Sequence, residues 1–236
     1  MDLKGVEMTW LGHSAFRFRT GDGVVIIVDP WLRENPRCPA AEHDQDRVDA
    51  IFITHGHFDH MADAERLAKE HSAPVFAIHE IAVHLESLGV AGVVGMNKGG
   101  TAAAPGGVTA TMVDAVHSGG ISGPGGIIPG GSPAGWVFTF PGGPRIYHAG
   151  DTMVFGDMTL IGELFSPEIA LLPIGGHYVM DPAQAARAAR MLGVAAVVPI
   201  HWGTFPVLAG TPAELGRHLE GSGIETVEMT IGTPAT

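Results

Sequence analysis

One cysteine, Cys38, occurs in 236 residues. A lone thiol excludes an intramolecular disulfide framework and a structural zinc site built from several thiolates. Any metal must then be held by imidazole and carboxylate, and a reducing compartment is the expected home. Positive charge is also scarce: 13 Lys and Arg stand against 25 Asp and Glu, a formal net charge of -12, with no basic run that could track a phosphate backbone. Nucleic acid is therefore not an expected partner. No apolar stretch approaches the ~20 residues of a membrane-spanning helix. The start, Met1-Asp2-Leu3-Lys4-Gly5, lacks the basic and apolar regions of a secretory signal. A cytoplasmic protein without a membrane partner is expected.

What the chain does have is enough apolar residues, 45%, to bury a substantial core, and 34 glycines without a three-residue period. That excludes a collagen-like repeat and implies many tight turns. Three short apolar or alternating runs, Val6 to Leu11, Ala15 to Arg19 and Val24 to Val28, are split by Gly12-His13 and Gly21-Asp22-Gly23, the pattern of an antiparallel meander. Further strands are expected over Asp49 to Ile53, Val75 to Ile78, Val108 to Val116, Trp136 to Phe140, Ile169 to Leu172 and Ala195 to Ile200. Helices are expected over Ala62 to His71, Ile81 to Leu88, Pro182 to Leu192 and Pro212 to Glu220. Strand and helix alternate along the whole chain, so the class is α/β, with residues 1–236 as a single domain. The stretch from Gly119 to Pro133 carries Ile121, Ile127 and Ile128 and does not have linker composition; it is expected as an irregular loop at the rim of the site.

The chemistry concentrates in Thr54-His55-Gly56-His57-Phe58-Asp59-His60, where four metal-ligating side chains fall within six residues after an apolar strand. In extended backbone, residues two apart project to one side, so His55 and His57 can chelate one ion. Asp59 and His60, at the turn into a helix, can address a second. A two-metal site needs further ligands. Three polar residues at strand ends offer themselves: His117, Asp151 and His201.

Taken in order, THGHFDH, AVHS, YHAGDT and IPIHWGTFP resemble the metallo-β-lactamase superfamily over essentially the whole chain, from TWLGHSAF onward. The phrases LGHSAF, VDPWL, HAGDTMVFGDMTLIGE and ALLPIGG are most similar to uncharacterised metal-dependent hydrolases related to L-ascorbate-6-phosphate lactonase. The resemblance implies a four-layer αββα sandwich. It also implies that His55, His57 and His117 bind one metal, that Asp59, His60 and His201 bind another, and that Asp151 bridges them. The implied cofactors are two divalent ions, zinc first, with manganese or iron(II) as alternatives. The partner is a small-molecule substrate, and self-association into a homo-oligomer stays open.

The expected activity is hydrolysis of a small ester, lactone or phosphoester by a hydroxide shared between the metals, with Asp59 steering it and handling its proton. His177 and Tyr178, after another strand, could donate hydrogen bonds to substrate, His177 as a catalytic group. Trp202, beside His201, could wall the pocket. His13, Asp29 and His148 lack chelating spacing and are expected to orient ligands from behind. The alternatives are a non-catalytic metal-binding or sensing protein on the same scaffold, and a thioesterase like glyoxalase II. The latter is opposed by the roughly 35 residues after His201, too few for its usual helical region. An oxidoreductase is opposed by His57, which stands where diiron flavoproteins carry Glu.

Overall fold

The computed structural model describes residues 1–236. The first half builds a sheet from β1 (Glu7–Gly12), β2 (Ala15–Arg19), β3 (Val25–Val28), β4 (Ala50–Phe52), β5 (Val75–Ile78) and β6 (Val93–Met96). The second half begins with β7 (Thr101–Ala103) and β8 (Thr109–Asp114), then a separate hairpin of β9 (Ile121–Gly123) and β10 (Gly126–Ile128). It continues with β11 (Ala134–Thr139), β12 (Arg145–His148), β13 (Ile169–Pro173), β14 (Ala196–Ile200) and β15 (Glu225–Thr226), and β16 (Pro234–Ala235) returns to the first sheet. Two seven-stranded sheets result, ordered β16-β1-β2-β3-β4-β5-β6 and β15-β14-β13-β12-β11-β8-β7. The β1-β2-β3 meander is antiparallel, as the alternating runs predict.

The layering follows from the two-residue side-chain period of strands. Trp136 and Phe138 of β11, Ile169 and Leu171 of β13, and Val198 and Ile200 of β14 face the first sheet and join the larger core. The intervening Val137, Ala170, Leu172 and Val197 face outward into a second core. That outer core is closed by α4 (Met158–Phe165), α5 (Pro182–Leu192) and α6 (Pro212–Leu219). Their predecessors α1 (Phe58–Met61), α2 (Ala64–His71) and α3 (His79–Ser87) belong to the first half, where α2 and α3 pack on the first sheet. The order helix, sheet, sheet, helix is the αββα sandwich. Between the sheets Phe52 stacks on Phe76 at 4.5 Å and meets Trp136 and Phe138 edge-on, each at 5.0 Å.

Proline and the caps set the helix starts. Asp181 accepts from the Gln184 amide ahead of Pro182, and Thr211 and Glu214 form a capping box around Pro212. Three expectations need correction. The Gly119–Pro133 segment is not wholly irregular, since it contains the β9–β10 hairpin. Helical geometry begins at Phe58, so Asp59 and His60 sit inside a helical turn rather than before it. Helix α4 was not anticipated: Met158, Ile161 and Phe165 face the outer core, but Leu160 and Leu164 on the solvent side blur the apolar pattern.

Candidate metal centre

Four segments with metal-ligating side chains leave the C-terminal ends of β4, β8, β12 and β14, and a fifth is the turn between β1 and β2. Cross-sheet bonds bring them to one place. Trp136 Nε1 donates to the Ile53 carbonyl at 3.1 Å, the Ala134 amide to the Thr54 carbonyl at 2.9 Å, and the His201 amide to the His13 carbonyl at 3.0 Å. His13, Asp29 and His201 each hold a left-handed φ, near 56°, 49° and 52°. Such strain in non-glycine residues persists where surrounding structure enforces it.

His55, His57, His117 and Asp151 present ligand atoms that all lie within 4.8 Å of one another, and a second set, His13, Asp59, His60 and His201, does the same. Asp151 lies between the sets. Its Oδ2 is 3.0 Å from His201 Nε2 and 3.6 Å from His117 Nε2, and its Oδ1 is 3.3 Å from His60 Nε2. These approaches are not aligned as hydrogen bonds, and His60 Nε2, Asp151 Oδ1 and His201 Nε2 are buried without a hydrogen-bond partner. Buried polar atoms without partners are rare and costly. Imidazole and carboxylate atoms converging in this way fit divalent cations.

Behind the ligands, Asp29 ties the two sets together. Its Oδ2 accepts from His60 Nδ1 at 2.7 Å and from the Thr54 hydroxyl at 2.7 Å, and its Oδ1 accepts from the Thr54 amide at 2.8 Å. The Thr54 hydroxyl lies 3.0 Å from His55 Nδ1. Spending each Nδ1–H this way leaves Nε2 of both His55 and His60 for the centre. On the other side His13 Nε2 is 3.1 Å from Asp59 Oδ2 and its Nδ1 is 2.9 Å from the Thr204 hydroxyl. Ser118 Oγ lies 3.2 Å from His57 Nε2.

Electrostatics separate the two sets. Burial, aided by the charge of neighbouring histidines and opposed by Asp151, holds His55, His57 and His117 below the ordinary imidazole range. Burial and His201 push His13 down to about 4. His60 goes the other way: burial opposes its charge, but Asp151 and Asp29 outweigh burial and raise it well above the usual value. Burial likewise pushes the Asp59 and Asp151 carboxyls up. It is overcome by His13 and His60 at Asp59 and by His201 and His60 at Asp151, so both fall below the usual carboxylate range.

The structure thus gathers His55, His57, Asp59, His60, His117, Asp151 and His201, with His13 beside the second set and its ring nitrogens on Asp59 and Thr204. Of the other expected residues, His148, His177, Tyr178 and Trp202 make no hydrogen bond to these side chains. His148 hydrogen-bonds to the Ser14 carbonyl and the Gly150 amide, so it braces the strand end before Asp151 and meets no ligand side chain through these bonds. His177 and Tyr178 are exposed on the loop after β13, pack edge-on at 4.4 Å, and make no hydrogen bond to the ligands. Trp202 turns away, against Trp10 at 5.8 Å and beneath Arg37, with its indole N–H donated to the Pro199 carbonyl. Thr54, Thr204 and Ser118 were missed as partners of the ligands, although Thr54 and Ser118 adjoin ligand histidines in the sequence.

A family model described as a beta-lactamase superfamily domain matches residues 25–202. A UPF0173 metal-dependent hydrolase of Koribacter versatilis is 50% identical over 220 residues, covering 93% of this chain and 94% of that protein. Another, from Rubrobacter xylanophilus, is 49% identical over 224 residues, covering 94% and 92%. The solved structure of Igni18, a metallo hydrolase from the archaeon Ignicoccus hospitalis, is similar with a TM-score of 0.86 at 38% identity, covering 98% of this chain and 97% of that one.

Proposed function

The chain belongs to the beta-lactamase superfamily, among its UPF0173 metal-dependent hydrolases, and from that premise we propose that it cleaves a small ester, lactone or phosphoester at a two-metal centre. The observation that carries this reading is the position of Asp151, whose two carboxylate oxygens reach toward both ligand sets. A carboxylate shared in this way supports a pair of ions, which need a common ligand between them.

His55, His57 and His117 would hold one ion, Asp59, His60 and His201 the other, and Asp151 both. When bound, such a pair lowers the pKa of a shared water from 15.7 toward roughly 7 and neutralises charge developing on the attacked group. The chain's own residues do the rest. Asp29 and Thr54 fix the ring orientations of His55 and His60. Asp59 is partly exposed and is held as a carboxylate by His13, so it can accept a hydrogen bond from the attacking water, steer it, and relay the proton it releases to the leaving oxygen. Water oxygen bonds to the acyl or phosphoryl centre, the bond to the leaving oxygen breaks, and no electrons are exchanged. Zinc suits this donor set and needs no redox step; manganese and iron(II) suit the carboxylates as well.

Metal analysis paired with a panel of lactones, esters and phosphodiesters tests the proposal. Two divalent ions per chain and turnover of at least one class are expected. Asp59→Ala should lower kcat by a hundredfold or more, of the order of general acid–base loss. Near-normal turnover by this variant with intact metal content would remove the role given to Asp59.

A further inference from the structure

The loops around the centre bear on what the substrate carries besides its scissile bond. Phe58 stands between His57 and Asp59, Val116 immediately precedes His117, and Met153 lies two residues beyond Asp151; all three are exposed. The β9–β10 hairpin adds Ile127, 80% exposed, and Ile128. Its position over the ligand segment is fixed by glycines. A Cβ on Gly56 would stand 2.6 Å from Ile121 Cγ1 and 2.8 Å from the Gly119 carbonyl, so the base of the hairpin lies directly on the backbone between His55 and His57. A Cβ on Gly120 would stand 2.4 Å from Ile127 Cγ2, so Ile127 folds back over that same base. Within the ligand segment, Phe58 packs edge-on to Trp31 at 5.6 Å, and Trp31 stacks on Phe205 at 5.9 Å. Among the ligands, His57, Asp59 and His117 are partly exposed.

Cations are scarce in the same loops. No Lys or Arg occurs in residues 54–61, 115–133, 149–157, 174–181 or 201–211, and the whole chain is net negative. The loop that carries Trp31 holds Arg33 and Arg37, but Arg33 is paired with Asp44 and Arg37 donates to the Gly203 carbonyl. A substrate bearing a phosphate or a second carboxylate is ordinarily met by Arg or Lys at the site that holds it. Exposed apolar side chains gathered beside convergent polar groups are the composition of a site for an apolar ligand.

We propose, resting on the hydrolase reading above, that the substrate is an uncharged ester or lactone whose alkyl or aryl portion docks between the Ile127–Ile128 hairpin and Phe58. The apolar portion is desolvated against the hairpin while its carbonyl is held at the ligand cluster. Water adds to that carbonyl carbon, the acyl carbon–oxygen bond breaks, and the leaving oxygen takes the proton, giving an acid and an alcohol or, from a lactone, a hydroxy acid.

The test uses the metal-loaded full chain with acetyl, butanoyl and hexanoyl esters of one phenol, and that phenol's phosphomonoester as the charged comparison. Burying a methylene completely is worth about a fourfold gain and burying it halfway about a twofold gain. We expect kcat/KM to rise by such a factor per methylene and to exceed that for the phosphomonoester. Ile127→Ser, at an exposed position, should lower the hexanoyl-to-acetyl ratio severalfold, and Ile128→Ser should lower it less. In parallel, affinities of acetate, butanoate and hexanoate for the same protein are measured by calorimetry. Affinity rising with chain length while no ester turns over would defeat the hydrolase reading and sustain the apolar site. Turnover with a flat or falling chain-length profile, preference for the phosphomonoester, or a ratio unchanged in Ile127→Ser overturns the apolar site alone. A dimer in sedimentation that Ile127→Ser dissolves, with selectivity unchanged, would assign the hairpin to a second copy and overturn the proposal.

Discussion

Asp29 lies 26 residues before His55 in the chain, yet it accepts from His60 Nδ1 directly and is joined to His55 through the Thr54 hydroxyl. Removing a group that orients metal ligands typically costs about ten- to a hundredfold in affinity. Asp29→Ala should therefore weaken metal binding by that factor, measured by competition with a chromophoric chelator, and Asp29→Asn should weaken it less. Protonation differs between the two ligand sets. His55, His57 and His117 are held low, so they are uncharged at neutral pH and keep one ring nitrogen free of a proton for their cation. His60 is raised by Asp151 and Asp29, so in the metal-free protein it keeps a proton that the second cation must displace. The sign follows: affinity for the second ion increases as pH rises through neutrality, with proton release on binding, while affinity for the first changes little. Calorimetric titrations in buffers of different ionisation enthalpy would count those protons. Equal release at both sites would contradict the assignment.

At the scale of elements, glycines set how closely the ligand loops approach. A Cβ on Gly175 would stand 2.3 Å from the His201 carbonyl, a backbone atom that can move only by shifting the ligand itself. Gly175→Ala is expected to cost about 1–3 kcal/mol, the usual range for overpacking, and to lower occupancy of the second set, read from denaturant midpoints and metal content. Much of this architecture was legible in the sequence because apolar runs stop where strands stop, and His55, His117, Asp151 and His201 all follow such ends. What was not legible depends on contacts distant in the chain. His13 lies beside the second set only because the β1–β2 turn bonds to the His201 backbone. Trp202, next to a ligand, turns away from it, and chain adjacency did not reveal the direction. The β9–β10 strands have three residues each and are rich in glycine, too short for a periodic signal. Helix α4 exposes Leu160 and Leu164, which masks in the sequence the core-facing side made by Met158, Ile161 and Phe165.

For the molecule as a whole, the sheets are joined through Phe52, which contacts Phe76, Trp136 and Phe138. Phe52→Ala should destabilise the protein by about 3–5 kcal/mol, and urea unfolding should show both sheets lost in one transition, since the core they share is continuous. No helix is long and apolar enough to cross a membrane. The two-metal account rests most heavily on Asp151, because it is the proposed ligand whose carboxylate approaches histidines of both sets. The direct measurement is the metal-to-protein ratio of the purified chain and of Asp151→Ala after equilibration with excess zinc and removal of free ion. The account predicts two ions in the parent and fewer than one in the variant, with ester or lactone turnover lost together with the metal. One ion in the parent, or two retained by Asp151→Ala, would contradict it.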